Sequence, residues 1–154
     1  MEKEEMYFLR DVEPEDMELL FRWANEKSVR QNSFHTEPIP FDDHIKWFNN
    51  MINDPFEVQY IFMNEETPIG QIRFSISDDY SYAEIDYSID ISKRGNGLGK
   101  KMISYALETF GKEYSQIKKI IGKVKEGNIA SEKSFIDCGF SLNYKQFEIN
   151  YEEK

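Results

Sequence analysis

A glycine-rich turn flanked by basic residues is the stretch of this sequence whose residue types and spacing best suit anion binding. Residues 93–101 read K-R-G-N-G-L-G-K-K, and we call them the glycine turn. Glycine at every second position permits positive φ, so successive backbone N–H groups can converge on one anion. A helix that begins inside the turn adds unpaired N–H groups and its positive dipole end, while Arg94 and Lys100 supply full charges. The glycine turn therefore predicts a diphosphate site.

Two familiar phosphate-binding motifs do not fit the glycine turn. A P-loop requires Ser or Thr after its lysine to hold Mg²⁺, but Lys100 is followed by Lys101. A dinucleotide-binding turn requires Gly-x-Gly-x-x-Gly after a first strand, with an acidic residue about 20 positions later. Here the spacing is Gly-x-Gly-x-Gly after a fourth predicted strand, and Lys118 and Lys119 stand where the acidic residue is expected. The sequence therefore disfavours both kinds of site.

The composition indicates one globular domain over residues 1–154, with a local basic region. The net charge of −10 argues against nucleic-acid binding, although residues 93–133 alone hold ten basic and only four acidic residues. No apolar run reaches the roughly 18 residues of a membrane span, and the acidic N-terminus does not resemble a signal peptide. The single cysteine, Cys138, permits neither an internal disulfide nor a cysteine zinc site. We expect a cytoplasmic protein without membrane contact or metal.

The periodicity of apolar residues predicts the order β-α-α-β-β-β-α-β-α-β(β), a mixed α/β domain. Strands are predicted at Met6–Val12, Val58–Met63, Pro68–Ser77, Tyr82–Ile91 and Ile117–Val124, with a last strand or compact hairpin at Phe140–Tyr151. Helices are predicted at Pro14–Asn25 and Phe41–Ile52, from the glycine turn to Gly111, and at Asn128–Cys138. Residues 26–40 are predicted to form an irregular connection.

The segment Arg94–Gly99 resembles the Arg/Gln-Gly-x-Gly-x-Gly/Ala motif of the GNAT superfamily of N-acetyltransferases. Further markers occur in the family's order along nearly the whole chain: Pro68–Ile72, Ala83–Ile85, Asn128, Ser131, Gly139 and Phe140. The resemblance implies a single-domain α/β fold with a mixed, mostly antiparallel sheet of six to seven strands. About four helices would flank this sheet, which would splay between strands four and five. Acetyl-CoA is the co-substrate that the resemblance implies.

In the family that this sequence resembles, the pantetheine arm of acetyl-CoA lies between strands four and five and pairs with the fourth strand. The amides of the glycine turn would hold the diphosphate, and Lys133 or Ser134 would approach the nucleotide end. Asn128 has a second interpretation, as a helix N-cap. Residue by residue, the resemblance assigns coenzyme contacts to Ile89, Asp90, Ile91, Arg94, Gly95, Asn96, Gly97, Leu98, Gly99, Lys100, Asn128, Ser131 and Lys133.

Acetyl transfer to an amine requires a base that takes a proton from the amine. Strand alternation places Glu84, Asp86, Ser88 and Asp90 on one face of the fourth strand. Glu84 lies in the pattern Ala-Glu-Ile, where several members of the resembled family carry their general base, and we predict that it is catalytic. The alternative is that Glu84 or Asp86 is an ordinary polar strand residue.

The proton donor for the leaving thiolate is where the sequence departs from the family. Many members have Tyr seven residues after the motif Asn, and here that position is Phe135. The proton therefore comes from another group, such as Tyr87, Tyr144 or Ser88, or from water. Cys138 has no neighbouring His in the sequence, so we expect direct transfer without an acyl-cysteine intermediate.

The acceptor amine is expected to meet the connection over residues 26–40, which we call the acceptor segment. This segment and its flanking helices resemble the branch of the family that acetylates amino groups of nucleotide-linked sugars, as in pseudaminic-acid synthesis. An aromatic side chain could stack on a base or sugar ring, and an arginine could bind a phosphate. We predict acceptor contacts from Arg30, Phe34 and His35.

Two other functions stay open at this point. The acidic remainder of the chain would suit a cationic acceptor, such as a polyamine, an aminoglycoside or a basic protein N-terminus. Phe135 in place of the family's Tyr favours a non-catalytic module that binds acyl-CoA. The short stretch after Phe140 leaves little chain for two last strands, so a homodimer that completes the sheet edge is a further hypothesis.

Overall fold

The computed structural model describes residues 6–151. Its strands are β1 (Tyr7–Asp11), β2 (Glu57–Asn64), β3 (Thr67–Ile76), β4 (Ala83–Ile89) and β5 (Ile120–Gly122). Its α-helices are α1 (Met17–Ala24), α2 (Lys27–Gln31), α3 (Phe41–Ile52), α4 (Leu98–Glu113) and α5 (Ile129–Asp137). Short 3-10 helices occupy Pro14–Asp16 and Ile91–Lys93. The predicted α/β fold is confirmed.

One mixed sheet joins the five strands in chain order, β1-β2-β3-β4-β5. β1 to β4 pair antiparallel through short connections, and Glu65 takes φ of 52° in the β2–β3 turn. β5 runs parallel to β4, an arrangement that needs a long crossover, and α4 provides it. The crossover therefore sets α4, and the glycine turn before it, at the end of β4.

Two apolar cores cover the two faces of the sheet. On one face α4 and α5 pack on the strands, with the rings of Phe74 and Phe110 stacked at a centroid distance of 4.1 Å. On the other face α1 and α3 contribute Trp23 and Phe48. β2 serves both cores, because its side chains alternate across the sheet and those of residues 60–63 are all buried.

Three sequence-based predictions of elements are wrong. The sheet of the described residues has five strands rather than six or seven, because residues 140–150 form no strand. The chain turns away after α5, where Phe140 N–H donates to Phe135 O, and the side chain of Phe147 is 91% exposed. The strand predicted at Ile117–Val124 is only three residues long. The acceptor segment contains the helix α2, whose first N–H groups are capped by the Glu26 carboxylate.

Candidate active site

An opening between β4 and β5 is the centre of the candidate site. The two strands pair only from Ala83 to Ile85 on β4, and Gly122 is the last β5 residue in the ladder. β4 continues to Ile89 with β3 alone as its neighbour, so its backbone on the β5 side is left without a strand partner. The splay that the family resemblance implied is therefore present.

The separation of β5 from β4 has a local cause in the packing of α5. A Cβ atom on Gly122 would lie 2.6 Å from the ring of Phe135, which is nearer than side-chain atoms tolerate. Phe135 is 6% exposed and makes a T-shaped ring contact with Tyr87, a β4 residue whose hydroxyl donates to Ser131 Oγ at 3.0 Å. Tyr87 and Phe135 thus bridge β4 and α5 beside the opening.

The glycine turn has the backbone geometry of an anion cradle. Gly95 and Gly97 take φ of +85° and +71°, and nothing lies within 4 Å of the position of a Cβ on either residue. α4 begins at Leu98 with Gly97 as its N-cap, and no side chain caps it. First-turn amides of this helix are therefore available to a diphosphate, together with the positive end of a 16-residue dipole. The residues present fit the diphosphate of coenzyme A.

The side chain of Arg94 is directed away from this cradle and onto α2. Its Nη2 atom lies 3.1 Å from Glu26 Oε2, its Nη1 donates to Ser28 Oγ, and its Nε donates to Ile89 O at 3.0 Å. Glu26 also accepts from the N–H groups of Ser28 and Val29, both at 3.2 Å. Burial raises the pKa of Glu26, but the hydrogen bonds from Ser28, Arg94 and Val29 outweigh it and lower this pKa to about 2.

At the end of β4, Asp90 is held by hydrogen bonds, whereas its neighbours Ile89 and Ile91 differ in their exposure to solvent. Asp90 accepts from Trp23 Nε1 at 2.8 Å and from the N–H and hydroxyl of Ser92 at 2.9 and 2.6 Å. The bonds from Ser92, followed by that from Trp23, lower the pKa of Asp90 although burial opposes them. Ile89 is buried and Ile91 is 60% exposed. Asp90 therefore fastens β4 to α1.

The start of α5 faces the same opening. Asn128 Oδ1 accepts from Ser131 N at 3.3 Å, so the N-cap interpretation of Asn128 is confirmed. Lys133 is exposed one turn further along, as is Lys100 at the start of α4. Burial raises the pKa of the Tyr87 hydroxyl, with its bonds to Ser131 and Ser134 opposing this shift. Tyr87 is thus protonated at neutral pH.

The carboxylates of β4 occupy different positions relative to the opening. Glu84 lies in the paired part, opposite Ile121, and its carboxylate contacts Lys123 Nζ at 2.8 Å. Asp86 is the first residue beyond the pairing, is exposed, and accepts from Gln71 Nε2 at 3.2 Å. This part of the site brings both predicted carboxylates to one face of the sheet.

A pair of buried amides behind Asp86 escaped the sequence analysis. Gln71 is 8% and Gln59 4% exposed, and Gln59 Nε2 donates to Gln71 Oε1 at 2.9 Å. Gln71 in turn contacts Asp86 and Ser88, the latter at 3.3 Å. The sequence signal is Gln59, which directly precedes the apolar run 60–63 and therefore requires a hydrogen-bond partner. Gln71 gives no such signal, because it shares its face of β3 with the polar residues Arg73 and Ser75.

The acceptor segment holds its own shape through Arg30. The guanidinium donates to the carbonyl oxygens of Ala24 at 2.7 Å and of His35 at 3.0 Å, and also to Glu37 O and Ser33 Oγ. His35 and Phe34 are exposed, Phe34 to 64%. Of the three predicted acceptor residues, two therefore present their side chains to solvent, whereas Arg30 is occupied within the segment.

A second cation connects the acceptor segment to the other side of the opening. Lys125, between β5 and α5, donates from Nζ to Gln31 O at 2.9 Å and to Ser33 O at 3.4 Å. The end of the segment is held by Asn25, which exchanges two hydrogen bonds with the backbone of Ile39 at 2.7 and 2.9 Å. None of these contacts could be inferred from sequence spacing.

Across residues 6–151, no helix is both long and apolar enough to cross a membrane. Within the same range, His, Cys, Asp and Glu side chains form no group of three that could hold a metal ion.

Comparison with solved structures finds proteins of the same fold. A spermidine N-acetyltransferase from Vibrio cholerae, solved with CoA and spermine, is similar with a TM-score of 0.81 and 23% identity, over 94% of this chain and 88% of the other. A domain from Methanocaldococcus jannaschii has a TM-score of 0.81 and 22% identity, over 94% of each chain. The aminoglycoside acetyltransferase AAC(6')-Ib, solved with ribostamycin and coenzyme A, is similar with a TM-score of 0.78 and 19% identity, over 89% of this chain and 84% of the other.

The family is shown by sequence rather than by these similarities of fold. No curated protein matches the sequence significantly. The family model described as an acetyltransferase (GNAT) domain matches residues 7–141, which include β1, the opening, the glycine turn and α5. The chain therefore belongs to the acetyltransferase (GNAT) domain family and is an acyltransferase.

Proposed function

We propose that this protein transfers the acetyl group of acetyl-CoA directly to a primary amine of a small cationic molecule, such as a polyamine or an aminoglycoside. The observation that carries this proposal is the charge at the opening. Three cations beside it are paired, Arg94 and Lys125 with groups of the acceptor segment and Lys123 with Glu84, whereas the Asp86 carboxylate is exposed. An acceptor that approaches this face meets negative charge, which attracts a cationic amine.

The similar structures supply acceptors of this kind. One was solved with spermine and another with ribostamycin, and both molecules carry several amines. For this chain the net charge of −10 acts in the same direction, because it raises the local concentration of cations around the whole molecule. A protein N-terminus of basic character is a larger acceptor with the same charge.

An amino sugar linked to a nucleotide is the second candidate acceptor, favoured by a specific observation. Phe34 exposes 64% of its surface in the acceptor segment and is free to stack on a base or sugar ring. The sequence of this region resembles enzymes for such sugars. The Arg30 guanidinium, however, already donates to three groups of its own segment and to Ala24 O of α1, so a phosphate would have to displace existing hydrogen bonds.

We propose Glu84 as the base that takes the proton from the amine while the amine nitrogen attacks the thioester carbonyl. The new C–N bond forms, the C–S bond breaks, and the thiolate of the coenzyme leaves with a proton from Tyr87 or from water. Backbone N–H groups of β4 beyond Ile85 would stabilise the negative charge on the carbonyl oxygen. Asp86 is the competing base, since it lies at the opening and Glu84 is neutralised by Lys123.

Our proposal for the coenzyme keeps the predicted contacts. Backbone groups of Ile89, Asp90 and Ile91 and the start of α5 would hold the pantetheine arm, and the amides of the glycine turn would hold the diphosphate. The exposed amines of Lys100 and Lys133 would lie toward the nucleotide end. One catalytic domain over residues 1–154, a cytoplasmic location and a homodimer are further parts of the proposal.

A thiol-release assay with acetyl-CoA and a panel of amines tests the function. Spermidine, an aminoglycoside and a UDP-linked 4-amino sugar should be compared at equal concentration. We expect the cationic amines to give the higher kcat/KM. Turnover on the nucleotide sugar alone would instead establish the second candidate, and coenzyme binding without turnover on any amine would indicate a non-catalytic module. Light scattering that finds only monomer at high protein concentration would contradict the homodimer.

A further inference from the structure

We infer that Glu26 and Arg94 form a positioning pair that fixes the acceptor segment against the glycine turn, so that the Arg94 side chain serves the acceptor rather than the diphosphate. This inference rests on the proposed function, because it assigns a purpose to residues 26–40 in acceptor binding. It separates two contributions of one motif residue: its backbone amide faces the coenzyme, and its side chain faces the other substrate.

The geometry at Arg94 leaves no guanidinium nitrogen unused. Nε is bound to the last carbonyl of β4, at Ile89, while Nη1 and Nη2 reach Ser28 and Glu26. Side-chain exposure is 34% for Arg94 and 19% for Glu26, so the pair is partly shielded from water. A planar guanidinium bound at three points fixes the distance between the end of β4 and the start of α2.

Glu26 connects this pair to the whole of the short helix α2. Its carboxylate accepts from two N–H groups of the first turn, so movement of Glu26 would uncap the helix. A five-residue helix is too short to be stable by itself and depends on such contacts. Because α2 leads directly into Phe34 and His35, its position sets where these exposed side chains stand.

The acceptor segment is attached on both sides of the opening. Arg94 holds its start from the glycine turn, and Lys125 holds its middle from the connection between β5 and α5. Arg30, which lies between the two attachments, donates to Ala24 O and His35 O and so links the segment to the end of α1 and to its own later half. A change at the glycine turn is therefore transmitted to the residues that would meet the amine.

The test compares Arg94→Gln and Glu26→Gln, each of which removes the ion pair but retains hydrogen-bonding atoms. We expect the KM for the best amine to rise about tenfold in both variants, while the Kd for coenzyme A, measured by calorimetry, changes less than about twofold. The double variant should be no worse than either single one, because each removes the same interaction. Arg94→Lys should recover part of the loss.

The matched control is the exposed ion pair of Lys112 and Glu108 on α4, whose N–O distance is also 3.1 Å. Lys112→Gln should change neither constant. A large loss of coenzyme affinity in Arg94→Gln, with Glu26→Gln unaffected, would overturn the inference and assign the side chain to the diphosphate.

Hydrogen exchange gives a readout that does not depend on turnover. In the free protein, amides of residues 27–33 should exchange faster in Glu26→Gln and Arg94→Gln than in the wild type, whereas those of α4 should not change. Equal exchange in all proteins would overturn the positioning pair even if the enzyme is active. Faster exchange without turnover on any amine would support the pair and contradict the proposed function instead.

Discussion

The coenzyme side and the acceptor side of the opening use different parts of the chain. On the coenzyme side, the glycine turn and the start of α4 present backbone amides, and the two positive-φ glycines keep side chains out of the way. On the acceptor side, β4 and the acceptor segment present side chains, and some of these are already hydrogen-bonded, Asp86 to Gln71 and Glu26 to Arg94. The comparison suggests that the coenzyme site tolerates side-chain change as long as φ is conserved, whereas the acceptor site does not.

The largest expected effect is on the acceptor side, at the proposed base. Glu84→Gln should lower kcat about 100-fold near neutral pH, because the amine then keeps its proton. Activity should recover partly at high pH, where the free amine predominates. Steady-state pH profiles of Glu84→Gln and Asp86→Asn provide the measurement. An altered profile in Asp86→Asn alone would transfer the role of base to Asp86.

The next largest effect is on the coenzyme side, and it concerns backbone conformation. Gly97→Val should weaken coenzyme A binding by about 30-fold or more, because a β-branched residue is strained at φ of +71°. Gly97→Asn should weaken it much less, since Asn tolerates the left-handed region. Calorimetric titration of both variants with coenzyme A would show which of them loses more affinity. Equal losses would mean that the side-chain volume at this position matters and its φ does not.

A smaller effect is expected where the two sides meet, at the end of β5. Gly122→Ala should destabilise the fold by about 1–3 kcal/mol, because its Cβ would overlap the Phe135 ring. Gly111→Ala is the control: Gly111 lies exposed in the last turn of α4 with open space around it, and the change should stabilise the fold by about 0.4–1 kcal/mol. Urea unfolding gives both values. A neutral Gly122→Ala would show that Phe135 moves aside freely.

The smallest expected effect is a pH dependence of the free energy of unfolding, caused by His44 in the helical layer of α1 and α3. His44 is 2% exposed, with Nε2 2.8 Å from Met17 O, and burial lowers the pKa of its imidazole although this bond opposes the shift. The unfolded chain therefore binds the proton more readily, and the contribution of His44 to stability is lost as the pH falls below about 6.5. Unfolding free energies at pH 8 and pH 5 should differ less in His44→Gln than in the wild type. An identical difference would contradict this role.

More of the coenzyme side than of the acceptor side could be predicted from the sequence. The glycine turn and the Asn128 cap were predictable because their conformations are set by neighbours within a few residues. The direction of the Arg94 side chain was not, because its partners Ser28 and Glu26 lie 66 and 68 positions away. The buried amide pair was missed for the same reason, since Gln59 and Gln71 meet only after β2 pairs with β3.

The predicted strand at residues 140–151 shows a different limit of the sequence. Its alternating apolar residues satisfy the pattern of a strand, but a strand also requires an edge to pair with, and pattern alone does not supply one. Leu142 and Ile149 are 68% and 74% exposed here. The number of strands was therefore overestimated, although the preceding elements follow the predicted order apart from the additional helix α2.

The burial of β2 on both sides has a consequence for how this molecule melts. Ile61 belongs to the core under α1 and α3, and its neighbour Phe62 to the core under α4 and α5. Neither layer of helices can detach without exposing one face of the same strand to water, and the backbone of β2 is bonded to β1 and β3 along its length. Loss of either layer weakens the support of the other, so heating should produce one cooperative transition shared by the layer under the coenzyme side and the layer under the acceptor side.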